Sequence, residues 1–188
     1  MPLPPLPPPL SFRASATDGL LAHPAPVVSE KRPQGSLLLE LIKHNGAPFN
    51  DHWAYFVQST SEPCVGIVYE AVGDVRSGFQ RQIRRNHDLT SDLPSSRIPL
   101  QWIDAKFINE ELMLHSQGSM PVCIFEESLH KVKVPEKTLN NTRESGPPKK
   151  RIAQRNCQTW IVESADQLVA DGILSLDIAA YLHATKQV

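Results

Sequence analysis

A chain of 188 residues has room for one domain with a core large enough to fold without staples. With 40% hydrophobic and 21% charged residues it has an ordinary globular composition, and a net charge of -1 excludes the basic excess of a dedicated nucleic-acid binder. No apolar run approaches the roughly 20 residues of a bilayer-spanning helix, so no transmembrane segment is expected.

The three cysteines, Cys64, Cys123 and Cys157, have no CxxC spacing, which argues against a disulfide framework or a structural zinc. The N-terminus lacks the charged start and apolar run of a secretory leader, so free thiols in a reducing, cytoplasmic setting are the expectation.

Nine of the 17 prolines fall in the first 33 residues, and residues 1–34 read as a disordered proline-rich tail. The Leu-Pro alternation of residues 1–10 favours polyproline II and would suit an SH3-like partner. The domain is expected over residues 35–188. Strands are predicted over 36–43, His52–Gln58, 66–72, 79–85 and 98–104, with turn chemistry at His44 to Pro48 and at Gly73-Asp74. The connections are too short for crossover helices, so an antiparallel meander is predicted. Helices follow over Glu110–His115 and 125–132. After an exposed polar loop over 138–150, Asn156 is suited to cap a helix over Cys157–Ala170, which Gly172 would close. Ser175 can cap a last helix through Thr185. Strands first and helices last make an α+β domain, an antiparallel sheet packed against C-terminal helices.

Chemistry gathers at three positions. Cys157 opens its predicted helix, where unpaired backbone N–H groups and the helix dipole stabilise a thiolate and can receive an oxyanion. Lys149, Lys150, Arg151 and Arg155 add positive charge just upstream. His52 begins a strand whose two faces, His52-Ala54-Phe56 and Trp53-Tyr55-Val57, are both largely apolar, so its imidazole needs a partner. Glu70 lies between Val68 and Val72 on the next strand, and a hairpin would bring its carboxylate to His52 and fix the ring tautomer. Each residue alone has a plainer use, as core packing for the cysteine and histidine and as a solvated edge for the glutamate.

The run Asn156-Cys157-Gln158-Thr159-Trp160, with His52-Trp53-Ala54-Tyr55-Phe56-Val57 far upstream, resembles the circularly permuted papain-like proteins, the lecithin:retinol acyltransferase-like relatives of NlpC-type thiol hydrolases. That resemblance implies a permuted papain-like fold with nucleophile Cys157, base His52 and orienting residue Glu70, where relatives commonly carry histidine. Tyr69 to Asp74, Gly78-Phe79, Arg85-Asn86 and Ile98-Pro99-Leu100 resemble a group of short uncharacterised fungal proteins, which implies a fungal source and a place in specialised metabolism.

The expected activity is therefore a thiol-dependent hydrolase or acyltransferase acting on a small-molecule or lipid amide or ester, with no cofactor. Trp53, Arg81, Arg84 and Arg85 are the candidate substrate-binding residues, the arginines for an anionic group. The alternative is a non-catalytic protein of the same fold that binds a small molecule or a protein partner. No ordered ligand spacing supports a metal at His44, Asp51 and His52, and no glycine-rich phosphate loop is present.

Overall fold

A computed structural model describes residues 24–137 and 154–187. Five strands, β1 (Leu37–His44), β2 (His52–Gln58), β3 (Val65–Asp74), β4 (Gly78–Asp88) and β5 (Ser96–Ile103), form one sheet of order β4-β3-β2-β1-β5. Every pairing is antiparallel. The helices are α1 (Glu110–His115), α2 (Ile124–Lys131), α3 (Cys157–Ala170) and α4 (Leu176–Thr185), with a 3-10 turn at Ala105–Phe107. The molecule is α+β, as the order of elements predicts. Three predicted spans, those of β2, α1 and α3, coincide with the observed ones.

The meander holds for β1 to β4 only. β5 returns past three strands to pair with the outer edge of β1, Leu37 opposite Ile103 and Lys43 opposite Ser96. The segment that carries it back lies on the face of the sheet away from the helices. Its Leu89 packs with Ile42, Ala54, Phe56 and Val68, and Ser95 donates to the Lys43 carbonyl at 2.7 Å. Alternation along β2 thus divides two cores. Trp53, Tyr55 and Val57 face the helices, while Ala54 and Phe56 face this smaller cluster.

The β3–β4 hairpin is longer than Gly73-Asp74 chemistry suggests. Both residues stay in the ladder, and Asp74 Oδ1 accepts from the amides of Arg76 and Ser77 at 2.7 and 2.9 Å. Gly73 has φ +139°, and a β-carbon there would lie 2.2 Å from the Gly78 carbonyl oxygen. Gly73→Ala is expected to cost about 1–3 kcal/mol, read as an earlier urea-unfolding midpoint with an unchanged slope.

α3 is the central helix. Asn156 and Thr159 form a capping box, with Asn156 Oδ1 accepting from the Thr159 amide at 3.1 Å and Thr159 Oγ1 accepting from the Asn156 amide at 3.2 Å. Such a cap contributes about 1 kcal/mol. Burial of Trp160, Ile161 and Leu168, each fully covered, contributes about 1.5–3 kcal/mol per side chain. Packing therefore docks the helix, and the cap sets where it starts. Tyr55 Oη pins it to β2 by donating to the Ile161 carbonyl at 2.8 Å.

Of the segment assigned to the tail, residues 24–34 are described and lie against the domain. Trp102 Nε1 donates to the Ser29 carbonyl and Arg32 Nε to the Ser36 carbonyl, both at 2.8 Å. The Leu-Pro alternation of residues 1–10 and the loop expected over 138–150 lie outside the described residues.

Candidate active site

Cys157, His52 and Glu70 come from three elements to one end of β2. His52 is the first residue of its strand, and the hairpin register sets Ala54 opposite Glu70. His52 and Glu70 are thus diagonal neighbours on the face away from the helices. His52 Nε2 and Glu70 Oε2 stand 2.7 Å apart. This leaves Nδ1 as the second ring nitrogen for a proton partner. The Glu70 side chain is 5% exposed and that of His52 33%, so the carboxylate is enclosed and the imidazole reaches solvent.

Cys157 approaches from the helix side, past the start of β2. The residue before His52 joins the two elements. The Asp51 carbonyl accepts from Gln158 Nε2 at 2.8 Å and receives the Cys157 thiol at a long 3.9 Å. The C-terminal segment closes the same corner. Gln187 Oε1 accepts from Gln158 Nε2 and from the Asp51 amide, both at 2.7 Å, and the Gln187 amide donates to Gln158 Oε1 at 2.9 Å.

The thiol is aimed at Asp51 rather than at the ring, and its sulfur is one of several influences on the titration of His52. Burial opposes the imidazolium, but the nearby Cys157 sulfur and then the hydrogen bond to Glu70, with the charges of both, outweigh it and push His52 up to about 9. Burial likewise opposes ionisation of Glu70, but the His52 hydrogen bond and the Arg84 charge win, and its carboxyl is held below its ordinary value. Among the described residues nothing accepts from the backbone amides of Cys157 and Gln158, the first two of α3, while the next two bond to Asn156. Those two free donors have the character of an oxyanion site.

The expected substrate-binding residues do not gather here. Trp53 is buried in the main core with Lys43 Nζ stacked 4.7 Å from its ring centre, because its odd position turns it toward the helices. Strand parity also separates the arginines. Arg81 donates to the carbonyls of His130 and Val132 at the end of α2, at 3.2 and 3.0 Å. Arg85 is bound to Glu126 and to the carbonyls of Met113 and Met120. Arg84 alone turns to the His52 face, where its Nε lies 2.8 Å from Glu70 Oε1. Each of the four is thus engaged by the protein's own groups. Arg155, expected to bias the thiol, pairs with Glu163.

Arg84 as the partner of Glu70 was readable in principle. Once β3 and β4 are taken as a hairpin, Glu70 falls opposite Gln82 and Val68 opposite Arg84, so 70 and 84 share a face. Nothing local signals Gln158, Gln187 or the Asp51 carbonyl, which depend on how α3 and α4 dock. A cavity of about 540 Å3 lies elsewhere, between residues 24–29, β5 and α4, and is lined by Leu100, Trp102, Ile178 and Tyr181. Among the described residues no group of His, Cys, Asp and Glu is arranged to hold a metal, and no helix is long and apolar enough to cross a membrane.

No curated protein and no solved structure matches the chain. A family model does match, over residues 39–175, which takes in most of β1, the other four strands with both residues of the His52–Glu70 pair, and all of α3. The chain belongs to that family, DUF6540, a family of unknown function.

Proposed function

We propose that the protein is a thiol-dependent hydrolase or acyltransferase acting on an amide or ester, built on a permuted papain-like arrangement. The observation that carries this reading is the meeting at one strand end of an imidazole held at 2.7 Å by a buried carboxylate and a cysteine on the first turn of a capped helix. In this mechanism Cys157 turns from the Asp51 carbonyl to His52, and its proton is held on His52 Nδ1 in a thiolate–imidazolium pair. The thiolate attacks the substrate carbonyl carbon, and the oxyanion is received by the amides of Cys157 and Gln158. Collapse breaks the bond to the amine or alcohol, which leaves with the proton from His52. Water or a second nucleophile then gives its proton to His52, attacks the thioester and restores the thiol.

The rate of iodoacetamide labelling across pH 5 to 9, resolved by peptide, tests this. Cys157 is expected to label faster than the exposed Cys64 below pH 7, despite being the more enclosed thiol, and to lose that advantage in His52→Ala. Labelling that follows exposure alone refutes the reading.

A second reading rests on the 540 Å3 cavity, which does not open on Cys157. On this view the protein binds a small molecule between α4 and β5 and the thiol is inert. Inert Cys157 in the labelling experiment favours this reading.

A further inference from the structure

The mechanism above uses Cys157, His52 and Glu70, but the polar chain does not end at Glu70. Arg84 stands 2.8 Å from Glu70 Oε1, the oxygen that His52 does not use. This is an ionic contact rather than an aligned hydrogen bond, since Arg84 Nε has no hydrogen-bond partner among the described residues. Arg84 is held in turn from the segment that returns to β5, its Nη1 donating to Asp92 Oδ2 at 3.3 Å and to His87 Nε2 at 3.2 Å. Asp92 also lies 3.7 Å from His44 Nδ1 on β1. The groups facing this carboxylate are therefore His52 from β2, with Cys157 of α3 beyond it, and Arg84 and His87 from β4. Asp92 and His44 form the outer ring.

We propose that Arg84 is a positioning residue of this site, holding the Glu70 carboxylate ionised and split so that Oε2 remains the acceptor for His52 Nε2. The inference rests on the functional reading given above. A carboxylate 5% exposed with one oxygen unpaired either takes up a proton or turns away. A protonated Glu70 can donate to the ring rather than accept from it, which reverses the tautomer and takes the acceptor nitrogen away from the thiol. Arg84 prevents this with a charge that no accessible pH removes. The same contact gives the returning segment a reason to cross this face: its Asp92 fixes the guanidinium that fixes the carboxylate. His87 adds a limit on the acid side. Burial, and then the Arg84 charge, keep it below its ordinary value, which favours the neutral ring that accepts from Arg84.

The test compares wild type with Arg84→Met, Arg84→Gln and Arg84→Lys, each checked for intact near-UV dichroism. Two quantities are read: the pH profile of Cys157 alkylation by iodoacetamide, and the nitrogen-15 shifts of the His52 ring, which report its protonation state and, where it is neutral, its tautomer. In the neutral variants the acid limb of the profile is expected to move up by about one pH unit, a tenfold loss on that flank. The Nε2 shift should change with it, and Arg84→Lys, which keeps the charge, should restore most of both. A folded neutral variant with the wild-type limb and wild-type ring shifts overturns the proposal. If Cys157 of the wild type labels no faster than Cys64, the catalytic reading fails. The ring shifts then still decide whether Arg84 sets the state of His52.

Discussion

Arg85→Leu will lower the unfolding free energy by about 3–5 kcal/mol, the largest stability loss expected of any single polar side chain here. Arg85 spans the gap between sheet and helices. Its two terminal nitrogens meet Glu126 Oε1 and Oε2 at 2.7 and 2.8 Å and reach the Met113 and Met120 carbonyls at 2.7 and 3.2 Å. Glu126 is fully buried and has two further donors, Tyr69 Oη at 2.7 Å and the Val122 amide at 2.9 Å. Burial, and then the charge of Glu126, hold the Tyr69 phenol protonated well above its ordinary 10, so it remains a donor throughout the working range. Removing Arg85 leaves an enclosed carboxylate with neutral donors only, and the lost free energy is mostly the cost of that unpaired charge. Arg85→Leu with Glu126→Gln should therefore lose less than the single change. Urea unfolding of the three proteins measures both differences. A loss below about 1 kcal/mol in Arg85→Leu would show that the pair is effectively solvated.

The second large effect is on His52. Its ring should titrate near 9, against an ordinary 6.5, and Cys157→Ala should bring the midpoint down by more than one unit, because the thiol is the leading cause of the rise. Glu70→Gln should lower it by less. Histidine Cε1–H resonances followed from pH 5 to 10 give the midpoint directly, and a wild-type value below 7 would mean that sulfur and ring do not interact. Stability has a definite sign with pH. The folded value lies above the unfolded one, so the imidazolium stabilises the fold fully below about 6.5, and this contribution is lost as pH rises through 9. With the side chain 33% exposed, solvent screening reduces it to about 1–2 kcal/mol.

How much of this the sequence could reveal follows from the range of each interaction. The spans of β2 and α3 were legible because alternation and capping are local: Trp53, Tyr55 and Val57 against Ala54 and Phe56, and Asn156 with Thr159. The His52–Glu70 pair was legible because a short connection makes a hairpin, which fixes parity. The fate of the arginines was hidden although their positions were not. Charge clustered in sequence suggests one patch, whereas alternation sends Arg84 to one face and Arg81 and Arg85 to the other. The return of β5 to β1 was hidden too, since nothing in 98–104 states which edge it will take. Trp53 carried two signals at once, its aromatic character suggesting contact with a ligand while its parity placed it in the core.

The corner where Asp51, Gln158 and Gln187 meet has a kinetic meaning as well. Its bonds join residues separated by 107 and 136 positions, while most of the sheet pairs through short hairpins. Contacts of such long sequence separation are reached slowly, after the local ladders have formed. Cys157 and His52 therefore come together only as the fold is completed. During refolding the loss of free access to Cys157 and the rise of the His52 midpoint should appear in the last phase, which would make the site itself a marker of the final assembly step.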